Sequence, residues 1–178
     1  MAALATEPKT EIRVMNRFID ILNRIRQNIN PDWLTPTQQA AYNLLRERLA
    51  FLDEVNLWGG HGVGKTFLGW VLQSQGLAAY KPRSEEIGLA SLLDTVIVDN
   101  IGWQRAIVRD LLHLCRNQGY QKVVFITTEP AREQMATIEL LLTDEDLVKA
   151  SANLRSIGIA PYSGMPHSLW DLVSPMGL

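Results

Sequence analysis

The sequence predicts an α/β fold: a parallel sheet covered on both faces and preceded by two helices. Three observations carry that prediction. Short apolar runs rich in β-branched residues alternate with amphipathic helical runs from Asp53 onward. A glycine-rich loop joins the first of those runs to the helix behind it. Upstream, apolar residues recur at spacings of three and four, the helical period.

Each element has its own signal. From Thr10 to Ile29 the stripe is Ile12, Met15, Phe18, Leu22, Ile25 and Ile29, with Arg13, Arg17, Asp20 and Arg24 on the far side. Asn30-Pro31-Asp32 ends that helix. Thr35-Pro36-Thr37-Gln38 starts the next, with a threonine cap, proline at the first helical position and glutamine three after the cap. That helix should run to about Phe51 and bury Ala41, Leu45, Leu49 and Leu52. Val55 to Trp58 reads as a strand, Phe67 to Gln75 as a helix and Leu77 to Tyr80 as a second strand. Ile87 to Leu93 is long enough for two helical turns. Thr95 to Asp99 is a strand buried on both faces. Trp103 to Gln118 is amphipathic through Ile107, Val108, Leu111, Leu112 and Cys115, and Lys122 to Thr127 is the next strand. A fifth strand falls at Thr137–Leu142 or at Ser156–Ala160, and under either reading Thr143-Asp144-Glu145-Asp146 caps a helix through Leu154.

Composition narrows the function. The chain has 178 residues, 47% hydrophobic and 20% charged, which suits one compact domain with a small appendage. Seventeen basic and 19 acidic side chains give a net charge of −2, so the charge balance does not indicate a nucleic-acid partner. One cysteine, Cys115, excludes an internal disulfide and a cysteine-based zinc cluster, and it lies two residues from His113 on one helix, so the two face different directions and make a poor metal pair. No apolar run approaches the roughly 18 residues of a membrane span. The expectation is a soluble cytoplasmic protein.

Residues 59–66, Gly-Gly-His-Gly-Val-Gly-Lys-Thr, satisfy G-x-x-x-x-G-K-[ST] between a strand and a helix. The glycines let backbone amides converge on a phosphate, and the helix behind them aims its positive end at the same point. The residues expected to hold the nucleotide are Gly60, His61, Gly62, Val63, Gly64, Lys65, Thr66 and Phe67. Lys65 reaches the β- and γ-phosphates, and Thr66 ligates Mg²⁺ through its hydroxyl. His61 is expected to point outward as a spectator. Val96-Ile97-Val98-Asp99 is an apolar strand ending in a carboxylate, which suits Mg²⁺ held through water, so Thr66 and Asp99 are the metal candidates. Thr127-Thr128 at the end of the following strand can reach the γ-phosphate or the attacking water.

Gly59–Thr66, Val96–Asp99 and Val123–Thr128, in that order, resemble the three core motifs of the additional-strand P-loop ATPases, the division that includes the AAA+ and STAND groups. The resemblance implies a mainly parallel five-stranded sheet in the order 5-1-4-3-2, sandwiched between helices in three layers, with ATP above the carboxyl ends of strands 1 and 3. It also implies ATP rather than GTP, and no N-K-x-D guanine motif occurs. Ile126-Thr127-Thr128 is similar to the Thr-Thr-Arg strand end of STAND and NB-ARC switches, with Glu129 in place of the arginine. Tyr162-Ser163-Gly164-Met165-Pro166 resembles their Gly-x-Pro motif, which makes Pro166 a candidate nucleotide contact.

Departures from the pattern shape the functional expectation. Asn100 follows Asp99 where many AAA+ motors carry a water-activating glutamate, and an amide cannot accept that proton. Hydrolysis is therefore expected to be slow, with Lys65, Asp99, Thr128 and Glu129 as the catalytic candidates and Glu129 as a substitute acid. Residues 1–52 read as an N-terminal helical extension and 53–178 as a minimal ATPase core without a lid domain. Arg105, Arg109, Arg132 and Arg155 are candidate arginine fingers on a neighbour's ATP. The leading reading is an ATP- and Mg²⁺-dependent switch or weak ATPase working with a protein partner or a second copy of itself. The alternatives are an oligomeric AAA+ or helicase-like motor acting on DNA or protein, and a small nucleotide or metabolite kinase.

Overall fold

In a computed structural model the described residues are 8–88, 91–131, 135–162 and 164–173, with residues 8–17 described as helical backbone alone. Helix α1 spans Pro8–Gln27 and α2 spans Pro36–Phe51, joined by a 3-10 turn at Pro31–Trp33. Then follow β1 (Glu54–Trp58), α3 (Lys65–Ser74), β2 (Ala79–Lys81), β3 (Thr95–Val98), α4 (Arg105–Asn117), β4 (Lys122–Thr127), β5 (Ala136–Glu139) and α5 (Asp144–Ser156). Every strand pairing is parallel, and the order is β2-β3-β4-β1-β5, the predicted 5-1-4-3-2 arrangement. The two-turn helix expected between β2 and β3 does not form among the described residues. A single 3-10 turn at Ser84–Glu86 stands there instead, and Leu89 and Ala90 lie outside the described residues.

Side chains alternate across the sheet with period two. Val55, Leu57, Ile97, Val124, Ile126 and Ile138 point to one face, where Leu45 of α2 and Leu68 and Val71 of α3 cover them. Val96, Val98, Val123 and Phe125 point to the other, under Val108, Leu111 and Cys115 of α4. Ile107, expected in that buried stripe, is 43% exposed. Burial pushes the Cys115 thiol up to about 11, so this cysteine is packing rather than chemistry. A third cluster joins Ile21 of α1, Leu154 of α5, Ile159 and Leu172, so α1 and the C-terminal segment close on each other across α5. No helix among the described residues is long and apolar enough to cross a membrane.

The fifth strand is the earlier of the two candidates. Ala136 to Glu139 pairs with Val55 to Trp58, whereas Ser156 to Ala160 ends α5 and continues as loop. Behind it, Thr143 and Asp146 form a capping box, with the Thr143 amide donating to Asp146 Oδ2 at 2.7 Å. Asp146 also accepts from the Thr37 amide at 3.0 Å and from its hydroxyl at 3.0 Å, which ties the start of α5 to the start of α2.

Burial alone would raise the Asp146 pKa, but the bonds from Thr37 and Thr143 outweigh it and hold the carboxyl below its usual value. A depressed folded-state pKa gives stability that is present above the unfolded value, about 3.9, and is lost as pH falls through the folded one. Asp146→Asn is therefore expected to lose about 2–4 kcal/mol near neutral pH. The gap to wild type should close as pH drops below about 4, measured by urea unfolding across pH.

Candidate nucleotide site

The loop from Gly59 to Thr66 turns sharply between β1 and α3. Gly62 and Gly64 have φ of +73° and +95°, values that side chains other than glycine rarely adopt. Crowding adds a second reason. A Cβ at Gly59 would lie 2.3 Å from the Leu140 carbonyl oxygen, and one at Gly62 would lie 2.5 Å from Ser168 Cβ. At Gly64 the nearest atom would be the Gln38 amide nitrogen at 2.0 Å, the movable end of a side chain, so there the backbone angle is the stronger constraint.

Lys65 and Thr66 open α3. The Lys65 ammonium donates to the carbonyls of Gly59 and Gly60 at 2.6 and 2.7 Å, folded back along the loop. Burial lowers its pKa, and the nearby Asp99 charge opposes that shift. The Thr66 hydroxyl donates to Asp99 Oδ2 at 2.7 Å, which brings the ends of two separate sequence motifs into contact. Asp99 is 3% exposed; the Asn100 amide donates to its Oδ1 at 2.7 Å and the Tyr80 hydroxyl to its Oδ2 at 2.5 Å. Thr66 and Asp99 offer hard oxygen donors side by side, a set that suits Mg²⁺. Among the described residues no group of three or more His, Cys, Asp or Glu is placed to hold a metal.

These residues open into a cavity of about 440 Å³, a volume suited to a small ligand. His61, Gly62, Gly64, Lys65, Thr66 and Phe67 line it, with Asp99, Asn100 and Thr128 at the same end. His61 is exposed and lies on the cavity lining. Of the other expected contacts, Gly60 enters through its carbonyl bond to Lys65, and Val63 is turned into the core. Glu129 is exposed and lies off the cavity lining, while its carbonyl accepts from Thr127 at 2.5 Å. Pro166 is half-buried and off the lining too; Leu169 and Trp170, just beyond it, are on it. Arg105 and Arg109 line a separate cleft with Trp103 and Met135, Arg155 is exposed, and Arg132 lies outside the described residues.

Sequence reasoning missed the remaining walls. Leu22 and Ile25 of α1 and the aromatic rings of Trp33, Trp70 and Trp170 face the same cavity. Arg24 donates to the Ile157 carbonyl and Arg26 lies 4.9 Å over the Trp70 ring, so part of the basic side of α1 is used inside the fold. Asn153 Nδ2 donates to the Trp33 carbonyl at 2.7 Å. The Leu169 amide donates to the Gly62 carbonyl at 2.9 Å, laying the C-terminal segment directly on the loop. The signal for that segment is Ser168-x-x-Asp171, a capping pattern: the Ser168 amide donates to Asp171 Oδ2 at 2.9 Å.

Asn56 was also missed. It sits in the central strand β1 with no exposed surface, a costly place for an amide without partners. Its Nδ2 donates to Thr127 Oγ1 at 2.8 Å and to the Phe125 carbonyl at 3.2 Å, and its Oδ1 accepts from the Ala131 amide at 2.9 Å. The amide thereby fixes the chain on either side of Thr128. Asn56→Leu keeps the approximate volume but strands the Ala131 amide and removes the donor to the Thr127 hydroxyl, which keeps its own bond to the Glu129 carbonyl. It is expected to cost about 1–3 kcal/mol in chemical denaturation.

No protein-family model matches the sequence, and no curated protein matches it either. Solved structures do. Domain III of the Thermotoga maritima replication initiation protein DnaA superimposes with a TM-score of 0.55 and 16% identity, covering 82% of this chain and 86% of that one. A structure described as a DNA replication initiation factor gives 0.53 and 11%, covering 75% of this chain and 55% of the other, so this chain spans little more than half of that protein. At such identities the likeness shows the fold alone, a five-stranded parallel α/β sheet with helices against it.

Proposed function

We propose that the protein binds ATP with Mg²⁺ and acts as a nucleotide-dependent switch or slow ATPase within a larger complex. The observation that carries this reading is the meeting of Lys65, Thr66 and Asp99 beneath a glycine loop that opens into a ligand-sized cavity. The start of α3 and the loop amides bind the β-phosphate, where the helix dipole favours negative charge. Lys65 exchanges its two carbonyl contacts for phosphate oxygens, so it is poised in place rather than recruited from solvent. Mg²⁺, when bound, neutralises charge on the phosphates; Thr66 and Asp99 are the residues that would hold it. The walls made by Trp33, Asn153, Leu169, Trp170, Leu172 and Val173 suit the nucleoside end.

The role as a switch rests on what stands around Asp99. Asn100 replaces the usual proton acceptor, has a left-handed φ of +58° and donates its side-chain amide to the Pro82 carbonyl at 3.2 Å. That residue holds the backbone and takes no proton. Glu129 stands off the cavity lining. Slow hydrolysis with tight binding follows, and it suits a protein whose nucleotide state is read by a partner or by a second copy of the chain. The Ile126-Thr127-Thr128 strand end supports kinship with STAND-type switches. A second reading, an oligomeric motor acting on DNA or protein, draws support from the fold shared with replication initiation proteins.

Two outcomes follow. Saturating ATP·Mg²⁺ at about 100 times Kd should stabilise the protein by roughly 2.7 kcal/mol, and Lys65→Ala should abolish most of that gain in a thermal melt. Turnover by the purified chain should fall well below the enzyme median of about 10 s⁻¹. A wild-type rate of tens per second would favour the motor.

A further inference from the structure

Tyr80 is a residue for which the phosphate-loop reading has no use. It lies on the edge strand β2, opposite Ile97 of β3, and is 8% exposed. Its hydroxyl donates to Asp99 Oδ2 at 2.5 Å, the same oxygen that accepts from Thr66 at 2.7 Å. The ring has a prepared seat. Gly69 stands in the middle of α3, where glycine costs about 1 kcal/mol against alanine, and a Cβ there would lie 2.7 and 2.9 Å from two atoms of the Tyr80 ring. Trp70 packs edge-on against the same ring, with centroids 6.4 Å apart. A glycine that weakens its own helix, placed where it admits one aromatic ring, points to a positional requirement on that ring.

A carboxylate has about four lone-pair sites. On Asp99, Thr66 and Tyr80 take those of Oδ2, and the Asn100 amide takes one on Oδ1. One site remains, on Oδ1. We propose that Tyr80 is a positioning residue for Mg²⁺: its hydroxyl locks the rotation of the Asp99 carboxylate, so the ion or its hydration shell meets a preset lone pair on Oδ1. This rests on the ATP·Mg²⁺ reading above. A bare phenylalanine would fill the seat equally well, which makes the hydroxyl the informative atom.

The test is nucleotide affinity, measured by calorimetry with a non-hydrolysable ATP analogue in EDTA and across a Mg²⁺ titration. Tyr80→Phe should weaken the Mg²⁺-dependent affinity about three- to tenfold, the worth of one buried hydrogen bond, and leave affinity in EDTA within about twofold. In an Asp99→Asn background the same substitution should have no further effect, because the carboxylate it orients is gone. Gly69→Ala approaches from the other side: it displaces the ring while keeping the phenol, and should mimic Tyr80→Phe; it carries the test if Tyr80→Phe fails to fold. Unchanged Mg²⁺ dependence in a folded variant would overturn the proposal, and so would tighter Mg²⁺ binding, which would make the phenol a competitor. Equal losses in EDTA and in Mg²⁺ would show a structural role only and also overturn it. A wild-type protein that binds no nucleotide under either condition would instead overturn the ATP reading itself, and this proposal with it.

Discussion

The loop from Gly59 to Thr66 is packed from three directions, and the rest of the molecule is arranged around that crowding. The Leu140 carbonyl presses on Gly59 from the end of β5, Gln38 approaches Gly64 from the start of α2, and Ser168 with Trp170 lies against Gly62. Side chains at Gly59 and Gly62 would drive apart the very elements that wall the cavity, and one at Gly64 would displace Gln38 and strain the backbone. The glycines therefore serve twice: they let amides converge on a phosphate, and they let the loop act as the point where β5, α2 and the C-terminal segment meet. A phosphate bound there would be felt by all three at once.

That geometry gives a physical basis for a switch. Helix α1, the turn at Pro31–Trp33, α5 and the segment from Ser168 to Val173 are linked to one another by Asn153, Arg24 and the cluster around Leu172. None of them belongs to the sheet, yet each of α1, the turn, α5 and the C-terminal segment faces the cavity. Ligand binding to a pocket whose walls are tied together biases all of those walls in one direction. The side chains that close the cavity are mostly apolar and aromatic, whereas the loop end is polar and charged. Such a division suits a ligand with a phosphate tail and a flat, apolar head.

The loop and Asp99 were legible in the sequence because each is a local pattern: a turn that needs glycine at fixed positions, and a strand whose apolar run stops at a carboxylate. Sheet order came from the resemblance those motifs carry, and the pairings agree with it. The fifth strand was not decidable locally, since Thr137–Leu142 and Ser156–Ala160 are both short apolar runs and only pairing with β1 separates them. Tyr80 and Asn56 were invisible for a related reason. Each looks like an ordinary strand residue until the parallel register places Tyr80 near Asp99 and Asn56 near Thr127. The C-terminal segment was hidden for another reason: only its capping turn at Ser168, a three-residue pattern, shows how Leu169 and Trp170 come back onto Gly62.

Amide hydrogen exchange with and without ATP·Mg²⁺ tests the central claim most directly, because it reads the loop and the segments packed on it separately in one experiment. The account predicts strong protection of residues 60–66 on nucleotide addition, accompanied by slower exchange at 33–38 and at 168–172. Unchanged exchange at 60–66 under saturating nucleotide would contradict it.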